Sequence, residues 1–135
     1  MYYEIKVKAE TLDEKTASVK SSIQEYLVEN IELFAEAEQM GLKMKDTTDV
    51  VFVKRSRVME VVNIEDPAKD ESLYRATIEA TTVDESFKEK KIKYEVMVWA
   101  ADVMEAQQRM NEYMKQGLDD MELIALKKTK IQEIL

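Results

Sequence analysis

The chain repeats itself, and that constrains its fold more than any other feature. Tyr3-Glu4-Ile5-Lys6-Val7-Lys8-Ala9-Glu10-Thr11-Leu12-Asp13-Glu14 aligns without a gap on Tyr74-Arg75-Ala76-Thr77-Ile78-Glu79-Ala80-Thr81-Thr82-Val83-Asp84-Glu85. Tyr, Ala, Thr, Asp and Glu recur at the same places. Near the end of each half, Lys54-Arg55-Ser56-Arg57-Val58-Met59-Glu60-Val61-Val62 matches Lys127-Lys128-Thr129-Lys130-Ile131-Gln132-Glu133-Ile134-Leu135. Between these blocks, Glu36-Ala37-Glu38 matches Glu105-Ala106-Gln107. Three matches in the same order point to one ancestral unit present twice.

Each half reads as β-β-α-β. Tyr3, Ile5, Val7 and Ala9 alternate with Glu4, Lys6, Lys8 and Glu10, the period of a half-buried strand; Tyr74, Ala76, Ile78 and Ala80 repeat the apolar face. A second strand carries Tyr26-Leu27-Val28 in one half and Tyr94 to Trp99 in the other, in a register uncertain by one residue. Val103, Ala106, Met110, Met114 and Leu118 then give an apolar stripe at helical spacing. Asp102 with Glu105 forms a capping-box pattern, and Gly117 sits where a left-handed C-terminal residue is wanted. In the first half Phe34, Ala37 and Met40 make a shorter stripe, with Asn30 as cap and Gly41 as terminator. The last strands are expected over 49–62 and roughly 121–135.

The expected fold is therefore α+β, a single domain over 1–135. Repeat 1 covers 1–63, a linker 64–73 contains Asp66-Pro67, and repeat 2 covers 74–135. With strand one central and antiparallel to both neighbours, two copies about a pseudo-two-fold axis predict a mainly antiparallel six-stranded sheet with two helices. Two packed sheets are the other arrangement considered.

Composition narrows the chemistry. There is no cysteine and no histidine, so disulfides, thiolate metal sites and His-dependent nucleophilic catalysis are excluded. No phosphate loop or nucleophile elbow appears, no cofactor is expected, and the chain reads as a non-enzyme. The acidic pairs Asp13-Glu14 and Asp84-Glu85 read as turn residues, and no metal site is expected. The charged, alternating N-terminal residues and the lack of a long apolar run predict a cytoplasmic protein without membrane contact.

Two sets of residues stand out. The runs Lys54, Arg55, Arg57 and Lys127, Lys128, Lys130 occupy equivalent places in a chain of net charge −8. With Ser56 and Thr129 they suit phosphate oxygens of nucleic acid or a nucleotide; as solvated strand ends they would discourage edge pairing instead. Met97 and Trp99 alternate with Val96 and Val98, so both faces of that strand are apolar. Either both are buried, or one serves an interface. The main functional expectation is a non-catalytic binding or interaction protein, acting on a protein partner or itself as a homodimer. Phosphate recognition by the basic runs is the alternative.

The pattern Tyr3-x-Ile5-Lys6-Val7, then Tyr26-Leu27-Val28, then Glu36-Ala37-Glu38 resembles an uncharacterised family, a domain of unknown function in short proteins of Bacteroides-type gut bacteria and their phages. The resemblance covers roughly 2–62 and extends into the second half, with one extra residue before the Glu36-Ala37-Glu38 box. It implies a bacterial or phage setting and no catalytic residue.

Overall fold

The structure is a computed structural model that describes residues 2–29, 33–44, 46–62, 70–117 and 120–135. Most of the expected linker, residues 64–69, the stripe residue Leu118 and the expected cap Asn30 lie outside the described residues. The chain divides into two compact units, Met1–Ser56 with Lys130–Leu135, and Arg57–Thr129.

In the first unit, β1 (Tyr3–Asp13) and β2 (Ser18–Val28) form a long antiparallel hairpin. Helix α1 (Phe34–Leu42) leads to β3 (Thr47–Arg55), which pairs antiparallel with the other side of β1. Tyr3, Ile5, Val7, Tyr26, Val28 and Ala37 are buried together, with Met40, Val50 and Val53 packed against them. The alternation read from β1 thus selects the face that α1 covers.

The chain then leaves. Ser56 donates its N–H to the Tyr2 carbonyl at 2.9 Å, and from Arg57 onward the residues belong to the second unit. There β4 (Val58–Val62) lies parallel to β6 (Glu89–Ala100), which forms a hairpin with β5 (Ser72–Val83). Helix α2 (Val103–Lys115) leads to β7 (Asp120–Lys128), antiparallel to β5. Tyr74, Ala76, Ile78, Val96, Val98, Ala100, Ala106 and Met110 form its core. At Thr129 the N–H and the Oγ1 hydroxyl both donate to the Leu73 carbonyl, at 2.9 and 2.7 Å. The last strand, β8 (Ile131–Ile134), returns to the first unit and lies parallel to β2.

Among the described residues the architecture is α+β, with two helices and eight strands in two mixed four-stranded sheets, β3-β1-β2-β8 and β4-β6-β5-β7. This corrects the expected six-stranded, mainly antiparallel sheet. The single final strands expected over 49–62 and 121–135 are each two strands, broken at the basic runs, and the second piece pairs in the other unit. Geometry requires it. The vacant edge of a unit's own hairpin lies three strand spacings, about 14 Å, from the strand just completed. Arg55 to Val58 spans at most about 11 Å of extended chain.

The registers refine the alignment of the halves. Tyr3 pairs with Val28 and Tyr74 with Val98, so Tyr26 takes the place of Val96, not of Tyr94. Both edge strands carry an irregularity at the same point, between Lys6 and Val7 and between Thr77 and Ile78 of their partners.

The helix ends differ from expectation. Asp102 does cap α2, accepting from the Glu105 N–H at 2.8 Å. Glu105 does not complete the box; its carboxylate pairs with Arg109 at 2.6 Å. Neither glycine adopts a left-handed conformation. Gly41 lies within the last turn of α1, buried, where a Cβ would meet Val50, Ile5 and Val7 at 3.0 to 3.1 Å. It is there for close packing, not for termination.

Candidate functional site

The basic runs are the crossovers between the units. Lys54 and Arg55 end β3 opposite Glu4 and Tyr3; Lys127 and Lys128 end β7 opposite Arg75 and Tyr74. Arg57 and Lys130 stand just before β4 and β8. All six side chains are exposed. Within the first unit, Lys54 and Arg55 lie on one edge strand and Lys130 precedes the opposite edge strand, about 14 Å across the sheet. Arg57 stands in the same relation to Lys127 and Lys128 in the second unit. Neither sheet gathers its three cations on one strand pair. The hydroxyls between them serve the fold: Ser56 is buried, and Thr129 Oγ1 is bonded to the Leu73 carbonyl.

Met97 is fully buried and Trp99 nearly so. The alternative in which both faces of this strand are enclosed therefore describes them. A partner could touch these side chains only after the chain opened. The Trp99 carbonyl also accepts from Arg109 Nη1, whose other nitrogen pairs with Glu71 at 3.1 Å. Sequence reasoning passed over Arg109, which ties α2 to the start of β5 and the end of β6.

The acidic pair Asp84-Glu85 lies at the β5–β6 hairpin. Asp84 Oδ1 accepts from the Ser86 hydroxyl at 2.7 Å and from the Lys88 and Ser86 N–H groups at 2.9 Å. The Ser86 hydroxyl, then the Lys88 N–H, hold its carboxyl below the usual range. The carboxylate is thus turned into its own loop, and Phe87, with φ of 61°, is pushed outward. Among the described residues no group of three or more acidic side chains is placed to hold a metal ion. No helix among them is long and apolar enough to cross a membrane.

The residues that sequence reasoning missed lie on the face of the first sheet away from α1. There Leu12 pairs with Val19, Lys8 with Ile23 and Lys6 with Phe52. Leu12, Val19, Ile23 and Phe52 are all exposed. Lys6 Nζ sits 5.2 Å from the Phe52 ring centre, and Lys8 pairs with Glu10 at 3.7 Å. The corresponding places in the second sheet hold Val83, Glu89, Lys93 and Ala125. At three of the four places one unit carries a large apolar group where the other carries a charge or a methyl group; at the fourth, Val83 is exposed and apolar like Leu12. The contrast could be found in the sequence only once the true register was known.

A family model described as a domain of unknown function matches residues 1–135. The chain belongs to that family, DUF4494. No curated protein and no solved structure matches the chain.

Proposed function

We propose that this DUF4494 chain is a non-catalytic binding protein built from a duplicated β-β-α-β unit. In this reading the second unit serves as scaffold, and the first acts through the open face of its sheet. The observation that carries it is the apolar set Leu12, Val19, Ile23 and Phe52, exposed in one unit and replaced by Val83, Glu89, Lys93 and Ala125 in the other. A fold needs none of these side chains exposed, and exposed apolar groups spread among charges along one sheet face suit a protein interface. The duplication is supported by the common element order and by the shared strand irregularity. The occupant is a protein surface, of another protein or of the same chain. A cytoplasmic, bacterial or phage setting accords with the resemblance, and the genomic neighbourhood would test it.

Paired substitutions test the reading. Leu12→Lys with Phe52→Lys should abolish binding, whether read as self-association or as capture of a defined partner. Val83→Lys with Ala125→Lys, at the matching places, should leave it intact. Binding that survives the first pair overturns the proposal.

Phosphate recognition by Lys54, Arg55, Arg57, Lys127, Lys128 and Lys130 draws support from their joint exposure in an acidic chain. It predicts nucleic-acid binding that falls steeply with salt and disappears when all six become glutamine.

A further inference from the structure

The hairpin of the first unit is longer than the strand laid beside it. Strand β8 pairs with Glu25–Leu27 alone, and among the described residues no strand lies beside Ser18–Gln24 on that edge. The Leu27 carbonyl accepts from Leu135 at 2.7 Å, and the Glu29 N–H donates to Leu135 at 3.2 Å. Odd-numbered residues of β2 therefore direct their backbone groups away from β1. The unbroken β1–β2 register carries this alternation back along the strand. Val19, Ser21 and Ile23 thus present N–H and C=O groups to an unoccupied edge, with side chains on the open face.

The counterpart edge in the second unit is differently equipped. By register, Val19, Ser21 and Ile23 correspond to Glu89, Lys91 and Lys93. Charged residues, lysine above all, are how natural proteins block edge-to-edge pairing. On the open face, the second hairpin is protected in that way and the first is not; the lysine of the first hairpin's edge, Lys20, lies on the other face, opposite Thr11.

We propose that the Ser18–Gln24 edge pairs antiparallel with the same edge of a second copy of the chain, about a two-fold axis through Ser21. The proposal rests on the interaction reading above and names its partner and its contact. Around that axis Ser21 meets its own counterpart, and Val19 meets the Ile23 position of the other copy, twice. Odd residues meet odd residues, so each pair exchanges two backbone bonds, roughly six in all. Val19 and Ile23 from the two copies then form two apolar pairs, one on each side of the facing serines, with Leu12 beside each Val19. The same pairing of the second unit would set Lys91 against Lys91. An interface of this size belongs to the small class, so association depends on concentration.

The full chain tests this by sedimentation. The wild type should approach twice the 15.7 kDa chain mass as concentration rises. Ser21→Lys and Ile23→Lys, which copy the second unit, should stay at the chain mass with unchanged circular dichroism. Ser21→Cys should give a disulfide-linked dimer on oxidation, since the chain has no native cysteine. A hydrogen-bonded antiparallel pair places Cα atoms about 5.5 Å apart, within disulfide range. Lys91→Cys should remain unlinked. A dimer insensitive to Ser21→Lys overturns this contact but leaves the interaction reading standing. A monomer at every concentration overturns self-pairing outright, and the Leu12 and Phe52 variants then decide the interaction reading separately. If the wild type is itself monomeric and Ser21→Lys loses binding of another protein, self-pairing is overturned and the edge is assigned to a foreign strand.

Discussion

A Cβ atom on Gly41 would stand 3.1 Å from Ile5 Cδ1. In the second unit the matching pair is Met110 and Ala76, buried in one cluster. The large side chain has moved from strand to helix and the small one from helix to strand. Gly41→Ala gains helix propensity, about 1 kcal/mol, but overpacks a site walled by Val50, Ile5 and Val7, which costs about 1–3 kcal/mol. Net destabilisation of about 1 kcal/mol is expected by urea unfolding. With Ile5→Ala present, one of the three walls is gone and Gly41→Ala should cost less, a coupling that a double-mutant cycle would measure.

Arg109 holds the Trp99 carbonyl, Glu71 and Glu105. Glu71 keeps only 12% of its side-chain surface exposed. Arg109→Met should cost about 2–3 kcal/mol, because a shielded carboxylate loses its charged donor. Adding Glu71→Gln should recover part of that loss in thermal melts; no recovery would place the main loss at Trp99 or Glu105.

At the second crossover, Thr129 Oγ1 donates to the Leu73 carbonyl, which the Thr129 N–H already satisfies. Thr129→Val should therefore cost only about 1 kcal/mol, and Thr129→Ser less. Hydrogen exchange at Ile131–Ile134 should quicken in the valine variant, since this anchor sits where the chain departs.

Alkali should weaken the second unit. Burial first, then the hydrogen bond to Glu60, raises the Tyr113 hydroxyl above its ordinary 10.0. A raised folded pKa means that the associated stability is intact below pH 10 and is lost as pH climbs through and beyond the unfolded value. Tyr26, raised chiefly by burial, acts in the same sense in the first unit. Tyr113→Phe should flatten the fall in melting temperature between pH 9.5 and 11.5, about the model-peptide tyrosine value. An unchanged slope would refute the assignment.

Strand β1, its inward residues and the capped start of α2 could be read from the sequence because each depends on neighbours a few positions away. Tyr3, Ile5, Val7 and Ala9 are buried as their alternation implies. Asp102 caps because its own backbone places the carboxylate beside Glu105. Gly41 was misread for the same reason: nothing local to it reveals Ile5 across the core. The apolar open face escaped because it emerges only when Val19 is matched with Glu89 and Ile23 with Lys93, and register is a property of the folded pair of strands.

What the sequence by itself determined was the order of elements in each half and the faces their strands turn inward. Backbone periodicity and side-chain hydrophobicity act locally and suffice for that. The tertiary structure alone decided where the final strands go. Lys54 to Val62 and Lys127 to Leu135 each look like one continuous strand, yet β1 and β5 begin at Tyr3 and Ser72 and leave little to pair with beyond Ser56 and Thr129. A few residues cannot cross a three-strand sheet to its far edge. Each half therefore gives its last strand to the other, a choice made by distance and not by any residue in the strand itself.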